Sequence, residues 1–244
     1  MRLVGSPLPR WLAVMLFLAG VIGGLALSGG VLWGEIEARV YTFYRAEAGM
    51  RLNCPLMISP AESGIVEAPI VNLTNKEIKP VAQAEVSHEG GARKASRTIP
   101  LGPRGIETFR LSVDRADVIF DRLILVNVLQ SSYGDNPSRL GSCGILLFSL
   151  FGLSGAQTFG SIFAFSLICI LLGSGLWLYA QRPLNDTAGS LAQAGATLAA
   201  LTSAALLSSL PRWWGFILLF DAIILLMIGV ILTEFIVIPP KKGK

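Results

Sequence analysis

The chain has 244 residues, 52% of them hydrophobic and 15% charged, with a formal net charge of +4. Soluble domains carry about 25% charged residues, which argues against a simple water-soluble globule; a disordered chain needs low hydrophobicity and high charge and is excluded as well. One histidine and three cysteines argue against a multi-ligand zinc or iron–sulfur site, and the scattered cations give no nucleic-acid footprint.

In chain order, residues 1–33 read as a short cytoplasmic stub and a first membrane helix. About 20 apolar residues span the ~30 Å hydrocarbon core, and Trp11 to Trp33 holds no charge. Arg2 and Arg10 precede that run, and Glu35, Glu37 and Arg39 follow it. A basic start and an apolar middle also describe a secretory signal, with Ala26-Leu27-Ser28 as a cleavage site. The anchor is favoured by the length of the run and its closing Trp, and both readings stay open.

Residues 34–143 read as an extracytoplasmic domain with a helical lead-in from Glu35 to Met50, on Ile36, Val40, Phe43 and Tyr44. Strand-like stretches follow at Ile65–Leu73, Val81–Ser87, Lys94–Leu101, Ile106–Val113 and Arg122–Gln130. They are separated by turn signals at Glu89-Gly90-Gly91 and Gly102-Pro103-Arg104-Gly105. Short strands at roughly 8–12-residue spacing indicate an all-β sandwich, immunoglobulin-like in architecture but without an internal Cys…Trp…Cys signature. Cys54 opens this domain and Cys143 closes it. On the oxidising side of a membrane they are expected to form a disulfide, worth up to about 4–5 kcal/mol in the chain-entropy model; a pair of buried free thiols is the alternative.

Residues 144–157 read as an interfacial or re-entrant segment, because Gly152, Ser154, Gly155 and Gln157 interrupt a long apolar stretch. Further membrane helices are expected at 158–181, 188–210 and 212–238, with a basic cytoplasmic tail at 239–244. The last two helices form a tight hairpin about Leu210-Pro211-Arg212. Arg2, Arg10, Arg182, Lys241, Lys242 and Lys244 fall on one side against Arg212 on the other. The positive-inside rule then places both termini in the cytoplasm of a plasma or other cell membrane and the β-domain outside. The expected fold is four transmembrane helices with the β-sandwich inserted between the first and second.

Asp221 lies deep in the last helix, where a carboxylate is a functional-site hypothesis by default. Hairpin geometry sets Thr197, Leu201 and Thr202 at its depth, so the Thr197 and Thr202 hydroxyls are its expected partners. Three readings compete: a packing hydrogen bond, a contact to a partner subunit, and a proton or ion relay. Small residues recur along the third helix at Gly195, Ala199 and Ser203, and in the first at Gly20, Gly23, Gly24, Ser28 and Gly30. Such stripes let helices approach closely and offer surface for partners in the membrane. Cys169 reads as a small packing residue.

No Gly-x-Ser-x-Gly, P-loop or dinucleotide motif occurs. His88, beside Glu85 and Glu89, reads as an exposed turn residue, and Asp114, Asp117 and Asp121 with Arg115 and Arg122 as surface ion pairs. Asn72-Leu73-Thr74 and Asn185-Asp186-Thr187 match the glycosylation sequon, the first on the outer side. The leading expectation is a non-catalytic accessory or scaffold subunit, with no cofactor and no metal. Its partners are the lipid bilayer, other integral membrane subunits or further copies of itself, and an extracytoplasmic protein ligand of the β-domain; nucleic acid is not among them. The alternatives are a component of an oligomeric transporter or channel using Asp221, and a cell-surface sensor.

Overall fold

The computed structural model describes residues 8–42, 45–180 and 186–237. Arg2, Phe43, Tyr44, Arg182, Asn185 and the tail with Lys241, Lys242 and Lys244 lie outside the described residues. Helix α1 spans Leu8–Tyr41, so it continues well beyond the uncharged run that ends at Trp33. Eight strands follow: β1 (Ala48–Gly49), β2 (Met57–Ile58), β3 (Gly64–Val71), β4 (Val81–His88), β5 (Gly91–Thr98), β6 (Ile106–Val113), β7 (Leu123–Gln130) and β8 (Arg139–Leu147). A 3-10 turn, Arg115–Asp117, separates β6 from β7. Three helices complete the chain: α2 (Gly155–Ala180), α3 (Asp186–Ser209) and α4 (Trp214–Val237). The chain divides into two compact units, one of Trp33–Gly160 and the other of Met1–Leu32 with Ser161–Lys244.

The first unit is a β-sandwich. One sheet has the order β1-β8-β7-β4-β5, with β2 also parallel to β8, and the other pairs β3 with β6 antiparallel. Alternation supplies the core: Ala82, Ala84 and Val86 from β4 and Ile124, Val126 and Val128 from β7 face Val66, Ala68 and Ile70 from β3 and Phe109, Leu111 and Val113 from β6. Part of the other face of the large sheet, at β7 and β8, is covered too. Leu123 and Leu125 pack with Ala38 and Tyr41 at the end of α1, and a Cβ at Gly144 would overlap the Gly34 backbone. β7 is therefore buried on both faces and apolar from Leu123 to Val128 except at Asn127, which is why this stretch reads as a run with little alternation. The Cys54–Cys143 disulfide fixes the strand-poor entry of the domain to β8, across 89 residues of sequence with Cα atoms 6.7 Å apart.

Two sequence expectations are corrected here. Gly144–Leu147 is not the start of an interfacial or re-entrant segment but the end of β8, with Ile145 fully buried in the sandwich core. A strand buried on both faces and interrupted by Gly141 and Gly144 loses its period and merges with the apolar stretch after it. What remains is a link from 148 to 154, closed by a capping box in which Ser154 Oγ accepts from the Gln157 N–H and Gln157 Oε1 accepts from the Ser154 N–H. The acidic cluster is not a set of surface pairs either. Asp117 is 1% exposed and takes a bidentate pair from Arg93 of β5, at 2.9 and 2.7 Å. The Asp117 hydrogen bond raises the Arg93 pKa further above its already high value.

Buried amides finish the sandwich. Gln130 donates to the Val71 carbonyl and accepts from the Val71 N–H, and Asn136 Oδ1 accepts from the Leu73 N–H. Asn72 is 1% exposed. Its Nδ2 donates to the Lys76 and Gly102 carbonyls, both at 2.7 Å, and its Oδ1 accepts from the N–H and hydroxyl of Thr74. The sequon is thus a loop-closing motif whose amide nitrogen is already occupied.

Among the described residues, the helices Trp11–Tyr41 and Gly155–Tyr179 are long and apolar enough to cross a membrane, and Trp214–Gly229 is a shorter apolar stretch. With the disulfide, these helices mark a membrane or secreted protein.

Candidate functional site

The second unit is held by close helix crossings. At Gly20 a Cβ would stand 2.8 Å from Ile170 and the Ser166 carbonyl of α2, and at Gly24 it would stand 2.7 Å from Thr202 Cγ2 of α3. Only glycine lets backbones approach this closely. One turn beyond Gly24 on the same face of α1 comes Ser28, and opposite it is Asp221 of α4. The Ser28 hydroxyl lies 3.0 Å from Oδ1 and 3.1 Å from Oδ2 of Asp221. Ser28 is fully buried and Asp221 is 7% exposed. Val21, Ile170, Leu198, Ala205 and Ile224 form the apolar cluster of this unit.

A hydroxyl has a single proton, whereas a carboxylate has about four acceptor positions. The pair therefore leaves acceptor capacity on Asp221 that Ser28 cannot fill. A buried charge with one hydrogen bond is costly, so the site suits a proton shared on Asp221 or a cationic or donor group brought by a partner. No cluster of three or more metal-ligating side chains occurs among the described residues.

Asp221 was expected to meet Thr197 and Thr202, and this is corrected. Thr202 Oγ1 donates to the Leu198 carbonyl at 2.8 Å, and Thr197 Oγ1 donates to the Gln193 carbonyl at 2.9 Å. A helical Thr has an acceptor of its own one turn back, and that bond competes with a partner across the interface. The hairpin argument places α3 at the right depth, with Leu198 and Leu201 in the cluster around Ile224. It says nothing of α1, 193 residues away in sequence, which supplies the donor. Of the helix-packing residues, Gly195 faces Trp177 of α2, with 2.6 Å from a built Cβ to Cζ3. Ala199 packs partly buried on the apolar cluster, and Ser203 is half-buried. Part of the small-residue surface is thus used inside the chain's own bundle. Ser166 Oγ, against Gly23, is buried without a hydrogen-bond partner. Cys169 is a buried free thiol.

A separate polar feature sits in the β-unit. Glu62 Oε2 accepts from the Ser59 and Gly155 N–H groups, both at 2.8 Å, so a carboxylate caps the start of α2. The Gly155 N–H, then that of Ser59, holds its pKa below the usual carboxylate value. An open groove of about 330 Å³ beside the disulfide is lined by Asn53, Pro55, Glu62, Ile65 and Ala156. His88 is exposed at the end of β4.

No protein-family profile and no curated protein matches the chain. Several solved structures are similar to part of it. A CARDB domain from Pyrococcus furiosus, solved with two metal ions, is 12% identical over 44% of this chain and 92% of that one, with a TM-score of 0.32. A Paenibacillus cycloisomaltooligosaccharide glucanotransferase is 17% identical over 44% of this chain but only 15% of its own, with a TM-score of 0.36. A Listeria innocua beta-glucosidase is 15% identical over 43% of this chain and 17% of its own, with a TM-score of 0.29. Likenesses this distant transfer no metal, sugar or activity to this chain.

Proposed function

We propose that this chain is a non-catalytic accessory or scaffold subunit of a membrane assembly. In this reading α1 to α4 cross the bilayer with both termini in the cytoplasm, and the β-sandwich stands on the extracytoplasmic side, where its disulfide persists. The observation that supports it is a difference between helix faces. The exposed residues of α2 and α4 include many large apolar side chains, among them Ile168, Leu171, Leu172, Leu218, Leu225 and Leu226, which suit lipid, with small ones such as Ala164 and Ala222 between them. The exposed residues of α3 include Gln193, Ala196, Thr197 and Ala200, one helical stripe that is small and polar. Such a stripe suits another helix better than acyl chains.

The test is site-specific photocrosslinking in native membranes. Probes at Ala196 and Ala200 are expected to capture one defined membrane protein in stoichiometric yield, while probes at Leu171 and Leu225 capture lipid. Lipid adducts at all four positions would defeat the reading. A second reading, a component of an oligomeric transporter or channel, draws on the unfilled acceptor capacity of Asp221. It gains ground if the Ala196 probe captures only further copies of the chain and the purified oligomer supports ion flux that Asp221→Asn abolishes.

A further inference from the structure

Three segments converge at one end of the large sheet. Leu123 opens β7 opposite Leu146 near the end of β8, and the Leu147 N–H donates to the Arg122 carbonyl. The Phe148 N–H donates to the Ile58 carbonyl, which brings in the end of β2. Within the β-unit, Gly34 lies against Leu123 and Gly144, and Gly155 lies against the Met57 and Ile58 backbone, at this same end.

Three aromatic side chains project from it. Phe120 is exposed at the tip of the turn before β7, and Phe148 and Phe151 are exposed in the 148–154 link. Phe151 is 94% exposed. Phe120 and Phe151 also hold left-handed backbone, with φ of 53° and 52°, a conformation rare for a bulky residue. Next to Phe120 in sequence are Asp121 and Arg122, both exposed and opposite in sign, and Glu62, which accepts from the Gly155 N–H, adds a carboxylate at this end.

We propose that this end of the sandwich is a membrane-seating surface, with Phe120, Phe148 and Phe151 inserted into the headgroup layer of the bilayer that α2 enters. The occupant is named by continuity: the seven residues 148–154 that carry Phe148 and Phe151 lead directly into Gly155–Tyr179, long and apolar enough to cross a membrane. Phe side chains on an interfacial surface bury into the headgroup/acyl boundary. With no excess of positive charge at this end, the seating does not call for anionic lipid. The inference rests on the membrane reading proposed above, and it adds a lipid-contacting surface on the β-unit.

Spin labels test it in lipid nanodiscs of zwitterionic phosphatidylcholine, on the full chain with Cys169→Ala and the Cys54–Cys143 bond intact on a non-reducing gel. Labels go on Phe120→Cys and Phe151→Cys. Leu171→Cys marks the helix face, and Ser132→Cys marks the opposite end of the sheet, past Gln130. Relative to Ser132, the Phe120 and Phe151 labels are expected to gain accessibility to oxygen and lose accessibility to a water-soluble nickel chelate, at a depth shallower than Leu171. If Leu171 reads as lipid-embedded while Phe120 and Phe151 match Ser132, the seating surface is wrong and the membrane reading stands. Labels shielded from both reagents would report a protein contact and overturn the proposal in its favour. A water-exposed Leu171 would remove the membrane reading, and the seating surface with it.

Discussion

The β-unit and the helical unit use the same residue types in opposite ways. In the sandwich, polar side chains do the closing: Asn72, Gln130 and Asn136 satisfy loop backbone, Arg93 clamps Asp117, and a disulfide spans the domain. In the helical unit the described polar side chains largely turn back on their own helix, as Thr197, Thr202 and Ser209 do, and glycine crossings bring the helices together. Ser28–Asp221 bonds across helices instead, and Ser166 Oγ has no hydrogen-bond partner. The contrast follows from what each backbone needs. A helix satisfies its own N–H and C=O groups, so only packing remains to be arranged. A small sandwich has loops with unpaired groups and needs side chains to reach them.

Five changes are each expected to move one unit and leave the other, and a sixth, Asp221→Asn, to move neither. The largest effect is loss of the disulfide: Cys54→Ser with Cys143→Ser should lower β-unit stability by up to about 4–5 kcal/mol, read by denaturant-dependent proteolysis of the sandwich with helix content unchanged. Asn72→Ala removes a buried group serving several loop partners and should lower β-unit stability by about 2–3 kcal/mol. Its melting transition should drop with no change in the helical unit; an unaltered melt would mean that the loop closes by other means. In the helical unit, Gly20→Leu forces α1 away from α2 and should destabilise by about 1–3 kcal/mol, seen as faster unfolding in detergent while the sandwich melt holds. Ser28→Ala should have a smaller effect, about 0.6–1.7 kcal/mol. Asp221→Asn keeps an acceptor for Ser28 and should leave the helical melt within experimental error if the pair serves packing alone. The smallest effect is a pH dependence. Glu62 has a folded pKa below its unfolded one, so the carboxylate adds stability above the unfolded pKa and loses it as pH falls through the folded value. Wild type should exceed Glu62→Gln in β-unit melting temperature at pH 7, and the gap should close on acidification below the usual carboxylate range; a constant gap would show that the cap does not titrate.

Much of the sandwich was legible because its strands leave one-sided patterns. Phe109, Leu111 and Val113 alternate with polar residues, and Gly102-Pro103-Arg104-Gly105 announces its turn, with Arg104 held at a φ of 55°. The cysteine placement alone pointed to the disulfide. β8 was hidden because it is buried on both faces and runs into apolar chain, so neither alternation nor a change in composition marks its end. Asp221 was visible as a charge in an apolar helix, but its partner was not. Helical depth relates neighbours in a hairpin, and no local rule links residue 28 to residue 221. The Arg93–Asp117 pair was missed for the same reason, since sequence proximity offered Arg115 and Arg122 instead.

The buried amide of Asn72 has one more consequence. Oligosaccharide transfer would consume the same nitrogen that holds the Lys76 and Gly102 carbonyls. A glycan at Asn72 and a closed loop are therefore alternative fates of one atom, decided by whether folding or transfer reaches it first. In a host that attaches glycans to emerging chains, the choice of expression cell becomes a folding variable. Replacing Thr74 to silence the sequon would offer no escape, because its N–H and hydroxyl are bound to Asn72 Oδ1 and the hydroxyl would be lost; a Ser at that position would keep both the hydroxyl and the liability.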